Sequence, residues 1–172
     1  MSTPVLQFRV AGLPSTQGSK TGFVVKSKAT GKSRAVIVDK NPKTLKPWRE
    51  AVRATAVEAA GDGWVPLEGP LGIALAFALP RPASAPKTRR TWPIGARSGD
   101  VDKLARACLD ALTDAGIWGD DAQVVRLVAE KDYPLTAAAG PLDLTVPGVS
   151  VRVWRVEETG TCRVPAQRTT GV

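Results

Sequence analysis

One run constrains the fold of this chain more than any other: "LGIALAFAL" at residues 71–79. In an extended backbone Leu71, Ile73, Leu75, Phe77 and Leu79 share one face, while Gly72, Ala74, Ala76 and Ala78 share the other. Both faces are apolar, which predicts a central strand with a helix or a second subunit close against the small-residue face. Around it, residues 5–11 alternate Leu6, Phe8 and Val10 with Gln7 and Arg9, the period of a half-buried strand. Residues 22–27 and 33–39 read as a hairpin turning through "KATGK", where Gly31 supplies the permissive backbone. Further strands are expected at 123–131 and 148–156.

Two segments carry helical spacing instead. Trp48, Val52, Ala56 and Ala59 predict a helix over 45–60 that Gly61 ends. A second helix, over 101–114, is expected to bury Val101, Leu104, Ala105, Cys108, Leu112 and Ala115 and to stop at Gly116. Arg106, Asp110 and Asp114 lie on its opposite side. At 172 residues the chain is one domain by size, taken as 1–156. Residues 157–172 read as a disordered tail, and the proline- and arginine-rich stretch 80–99 as a mobile basic loop. Trp92, in that loop, suits either stacking on an unpaired base or tucking onto the core.

What the chain lacks narrows its chemistry. There is no histidine, so Ser-His-Asp and Cys-His sites, histidine bases and histidine-ligated zinc are excluded together. Cys108 and Cys162 suggest neither a disulfide framework nor a zinc site. No signal sequence or membrane span is legible, and a cytoplasmic setting is expected. "GLPSTQGSKTG" invites a phosphate-loop reading but fails on spacing, and the strand after it cannot present converging amides. A flexible basic loop is expected there.

Charge is the positive signal. The net charge is +8, and residues 1–60 alone hold eleven Lys/Arg against Asp39, Glu50 and Glu58. Residues 81–99 add Arg81, Lys87, Arg89, Arg90 and Arg97 with no acid. Such a surface suits a polyanion, although it also serves solubility. Against this background, residues 99–121 carry Asp100, Asp102, Asp110, Asp114, Asp120 and Asp121 with only Lys103 and Arg106. Asp100 and Asp102 can converge at a helix start, or Asp100 can simply cap it. The helix carries the chain ~18 Å from residue 102 to 114. Seven residues reach back at most ~23–25 Å, so Asp121 returns to Asp102 only by a nearly straight run along the helix. Carboxylates gathered in this way repel each other, and a hard divalent cation, Mg²⁺ or Mn²⁺, relieves the repulsion.

The order D-x-D, a cation four residues after the second Asp, D-A-L, A-G-x-W and D-D-A-Q-V resembles the RusA-type Holliday-junction resolvases. Here these are Asp100, Asp102, Arg106, Asp110 to Leu112, Ala115 to Trp118, and Asp120 to Val124. The resemblance implies a Mg²⁺-dependent homodimeric endonuclease that nicks opposed strands of a four-way DNA junction, with no membrane partner. It implies that Asp100, Asp102 and Asp121 are the catalytic metal ligands, with Asp120 a fourth. Lys103 stands where the family usually has Asn, and Arg106 where it has Lys. The two are expected to share a phosphate clamp on one helix side. Lys20, Lys87, Arg89, Arg90, Arg97 and Lys103 are the candidate DNA contacts. The expected fold is α+β in two layers, a mixed sheet of about five to six strands with two main helices mainly on one face, paired as a two-fold dimer. A non-catalytic DNA-binding protein, or a metal-dependent nuclease acting on flaps or RNA, is the alternative reading.

Overall fold

The computed structural model describes residues 3–18, 20–26, 31–39, 42–86, 89–95, 98–137, 140 and 143–157. Elements follow in the order β1 (Leu6–Ala11), β2 (Lys20–Lys26), β3 (Ser33–Asp39), α1 (Pro42–Ala60), β4 (Leu71–Ala78), α2 (Val101–Asp114), β5 (Val124–Asp132) and β6 (Gly148–Arg155). Among the described residues six strands form, but not one sheet. β1, β6, β4 and β5 make a four-stranded sheet in that order, while β2 and β3 pair only with each other. The expected five- to six-stranded sheet is therefore corrected to four strands plus a separate hairpin. The alternation that marks a strand does not specify which edge it joins.

The main sheet is mixed, as expected. β4 runs parallel to β5 and antiparallel to β6, which in turn is antiparallel to β1. Leu6, Phe8 and Val10 of β1, Ile73, Leu75 and Phe77 of β4, and Val149, Val151 and Val153 of β6 form one core with both helices. α1 contributes Leu45, Trp48, Val52 and Ala56. α2 contributes Leu104, Ala105, Ala107, Cys108, Ala111 and Leu112, so Ala107 and Ala111 take the buried places expected of Val101 and Ala115. Each Leu, Ile, Val or Phe side chain among them contributes about 1.5–3 kcal/mol on removal from water.

The small-residue face of β4 differs from expectation. Across from Gly72 on β6 lies Trp154, and any side chain at 72 would overlap its indole. A tryptophan of the same chain, rather than a helix, therefore covers that glycine. Ala74 and Ala76 beyond it remain half-buried.

Both helix ends are chemically explicit. α1 begins three residues earlier than its apolar pattern, at Pro42, whose missing N–H costs nothing in a first turn. α2 ends in a paired reversal: Gly116 N donates to Thr113 O at 3.0 Å and Ile117 N to Leu112 O at 3.1 Å, with Gly116 at φ +70°. The expected turn "KATGK" and the expected tail 157–172 lie largely outside the described residues.

Candidate functional site

The reversal after α2 sends the chain back toward the start of the helix. Ile117 and Trp118 are buried, and the Trp118 indole N–H donates to Thr113 Oγ1 at 2.8 Å. Leu67 N donates to Ile117 O at 2.9 Å, holding the returning strand from its other side. Asp120 then opens a single turn of 3₁₀ helix over Asp121–Gln123: its Oδ1 accepts from Ala122 N at 2.8 Å, and Gln123 Oε1 accepts from Asp120 N at 3.3 Å. The Gln123 amide N–H in turn donates to Leu67 O at 3.1 Å. Asp121 is thus presented by a turn fastened on three sides.

The charges around Asp121 show where this turn delivers it. Its carboxyl is held above the usual range by partial burial first, then by the charges of Asp110 and Asp120 and by a hydrogen bond its protonated form donates to Asp120, with Arg106 opposing them. Asp121 therefore lies within range of the charges of Arg106 and Asp110 on α2. Arg106 lies one helical turn beyond Asp102, ~6 Å along the axis. At the helix start, Asp100 occupies the N-cap position without a capping hydrogen bond from its side chain. Its Oδ2 instead accepts from Lys103 Nζ at 2.6 Å, and Lys103, followed by Lys131, holds the Asp100 carboxyl below its usual value. Asp102 is exposed on the first turn, where the helix dipole favours an acid.

The island is brought together in two parts, Asp100 with Asp102 and Asp121 with Asp110 and Asp120. Among the described residues, no three acidic, Cys or His side chains are gathered tightly enough to form a metal-holding group. The donor chemistry nonetheless suits a hard cation. All candidate ligands are carboxylates, and Asp121, raised first by partial burial and then by repulsion from its acidic neighbours, carries a charge that a cation would stabilise. Asp121→Asn removes that repulsion. A carboxyl whose folded value is raised destabilises the fold above its titration range and not below it. In EDTA, Asp121→Asn is therefore expected to raise Tm at neutral pH, with the gain vanishing as pH falls through the range in which Asp121 takes up its proton. Thermal melts across pH check this.

Several residues enter the site that the sequence did not single out. The loop between β1 and β2 is no phosphate loop but lies along α2. Gln17 N donates to Lys103 O at 2.9 Å, and its side-chain amide donates to Asp110 Oδ2. Gly18, at φ +102°, passes over Arg106, with the site of an absent Cβ 3.6 Å from Nη1. From α1, Arg49 pairs with Asp114 and lies 3.8 Å from Asp110. Lys131 of β5 donates to Gly99 O at 2.5 Å, next to Asp100. Of these, only Asp110 and Asp114 had a signal, through their places in the acidic run of α2. The others are contacts across tens of residues, which no local pattern records.

The expected DNA contacts divide. Lys103 is paired with Asp100, and Arg90 pairs with Asp132 at 2.5 Å. Arg89 and Arg106 are exposed. Lys87 and Arg97 lie outside the described residues, as does the side chain of Lys20. The buried Cys108 thiol is pushed above its usual range by desolvation and is inert core.

With this geometry in view, a family model for the endodeoxyribonuclease RusA matches residues 25–140. The chain belongs to the RusA family. Curated relatives called crossover junction endodeoxyribonuclease RusA, from Escherichia coli K12, Shigella sonnei Ss046 and Enterobacteria phage 82, are each 50% identical to it over 50 residues. That stretch is 29% of this chain and spans 40% of the length of those relatives. No helix among the described residues is long and apolar enough to cross a membrane.

Proposed function

We propose that this RusA-family chain is a structure-selective endodeoxyribonuclease that resolves four-way DNA junctions by paired nicks, using Mg²⁺ or Mn²⁺. The observation that carries the reading is the RusA family match over residues 25–140, together with a turn that brings the Asp121 carboxyl within range of the Arg106 and Asp110 charges. Asp100, Asp102 and Asp121 would hold the metal, and Asp120 would join them with the oxygen not used in capping. When bound, such an ion polarises a phosphodiester and lowers the pKa of water.

The chain's own residues do the rest. Arg106 offers a fixed fork to a phosphate and offsets charge developing on its oxygens. Lys103, one turn from the helix start, neutralises Asp100, and would be free to contact a phosphate were Asp100 engaged in holding a metal. Arg89, Arg90 and the other loop cations hold the backbone. Two such sites related by a two-fold axis match the symmetry of a junction, so the working unit is a homodimer.

A cruciform junction, a flap, a duplex and an RNA hairpin, each incubated in Mg²⁺ and in EDTA, test the proposal. Symmetric nicks in the cruciform alone support it. A second reading is a DNA-binding module without catalysis. It requires equal junction binding in EDTA and no nick in either buffer. Arg106→Ala and Lys103→Ala are each expected to slow single-turnover cleavage at saturating DNA, Arg106→Ala by roughly 10²-fold. Unchanged rates in both would remove the clamp from the mechanism.

A further inference from the structure

Next to the acids stands a segment to which the mechanism gives no more than a backbone contact. At residues 89–95 Trp92 is 54% exposed and Ile94 88% exposed, while Pro93 between them is buried. Large apolar groups projecting side by side on a basic loop contribute little to the fold. This tip is nevertheless held firmly. The Arg90 guanidinium lies over the Trp92 ring, 5.1 Å from its centroid, and also pairs with Asp132 at the end of β5. Ile94 N donates to Trp92 O at 2.9 Å. Ser98 Oγ donates to Pro93 O at 2.5 Å and lies 2.7 Å from Gly95 O. Lys131 Nζ then donates to Ser98 Oγ at 3.0 Å and to Gly99 O at 2.5 Å. The next residue is Asp100.

We infer that Trp92 and Ile94 form a wedge that stacks on an unpaired or unstacked DNA base at a branch point, and that the Ser98–Lys131 hydrogen bonds register this wedge to the acidic centre. The inference rests on the nuclease reading for its purpose, but not for its physics. One ring face already carries Arg90, and the exposed remainder offers an aromatic surface to a base. In a continuous duplex every base face is covered by its neighbour, so such a surface finds a partner only where stacking is interrupted. The surrounding cations Arg81, Arg89 and Arg90 favour the phosphates on either side. Because the tip and Asp100 are tied through one lysine, engagement of the branch point fixes the distance from that point to the scissile phosphate.

The test is binding in EDTA, with no cleavage required. A four-way junction carrying 2-aminopurine at the crossover and a fully paired duplex of the same sequence are titrated with the wild-type chain, Trp92→Ala, Trp92→Phe and Ile94→Ala, each checked for an unchanged thermal melt. Trp92→Ala is expected to raise the Kd for the junction roughly tenfold, to abolish the 2-aminopurine signal and to leave duplex binding unaltered. Trp92→Phe keeps most of the affinity, and Ile94→Ala falls between. A junction Kd unchanged in Trp92→Ala, or an equal loss on junction and duplex, overturns the wedge. A chain that stacks through Trp92 yet never nicks DNA in Mg²⁺ overturns the nuclease reading and leaves the wedge standing.

Discussion

Asp102→Asn is expected to lower single-turnover junction cleavage by at least ~10²–10³-fold, the scale on which a fixed electrostatic group acts on a transition state, while junction affinity in EDTA is retained. The reason is positional. Asp102 stands on the exposed first turn of α2, outside the core, and its replacement leaves every buried contact in place. The fold loses only a helix-dipole contribution of about 0.3–1 kcal/mol, far too little to explain such a drop. Asp62→Asn, an exposed acid in the turn after α1, is the control and should cut at the wild-type rate. Asp102→Asn cleaving as fast as Asp62→Asn would remove Asp102 from the mechanism.

The second large effect is expected from Trp118→Ala, which acts on the fold and the site together. Trp118 is 1% exposed and bonded to Thr113, and its strand segment bridges to Leu67. Truncating a buried tryptophan to alanine costs about 3–5 kcal/mol, a fall in Tm of roughly 10 °C or more for a domain of this size. Activity should fall further than stability explains, because the same side chain pins the turn that carries Asp121 back along α2. Trp118→Phe keeps most of the volume and loses one hydrogen bond, about 0.5–1.5 kcal/mol, and should still cut. Thermal melts and single-turnover assays at a temperature where all three variants are folded separate the two losses. A Trp118→Ala chain that is destabilised but fully active would mean that Asp121 is placed by something else.

Much of the fold could be read locally. The alternation in β1, the double apolar face of β4 and the helical spacing of α1 and α2 depend on side chains a few residues apart, and each element formed within a few residues of its expected bounds. The assignment of strands to sheets could not be read this way. β2 and β3 carry the pattern of sheet strands, but pairing with the main sheet depends on distant edges. The glycine on β4 has a similar history: its smallness is set by Trp154, which is 82 positions away in the chain and directly opposite in the sheet.

The acidic site divides along the same line. The sequence by itself determined the inventory: no histidine, a run of aspartates at fixed spacing within a basic chain, and a Gly116 that must turn the helix back. Those are properties of residue type and short separation, where side-chain chemistry and backbone sterics act directly. The tertiary structure alone decided the company each acid keeps. Asp121 comes within range of the charges of Arg106 and Asp110, Asp110 is gripped by Gln17, and Lys131 is bonded to the residue before Asp100. Electrostatic and hydrogen-bond energies depend on distance in space, and only packing of the core converts a chain separation of 30 or 90 residues into a few ångströms.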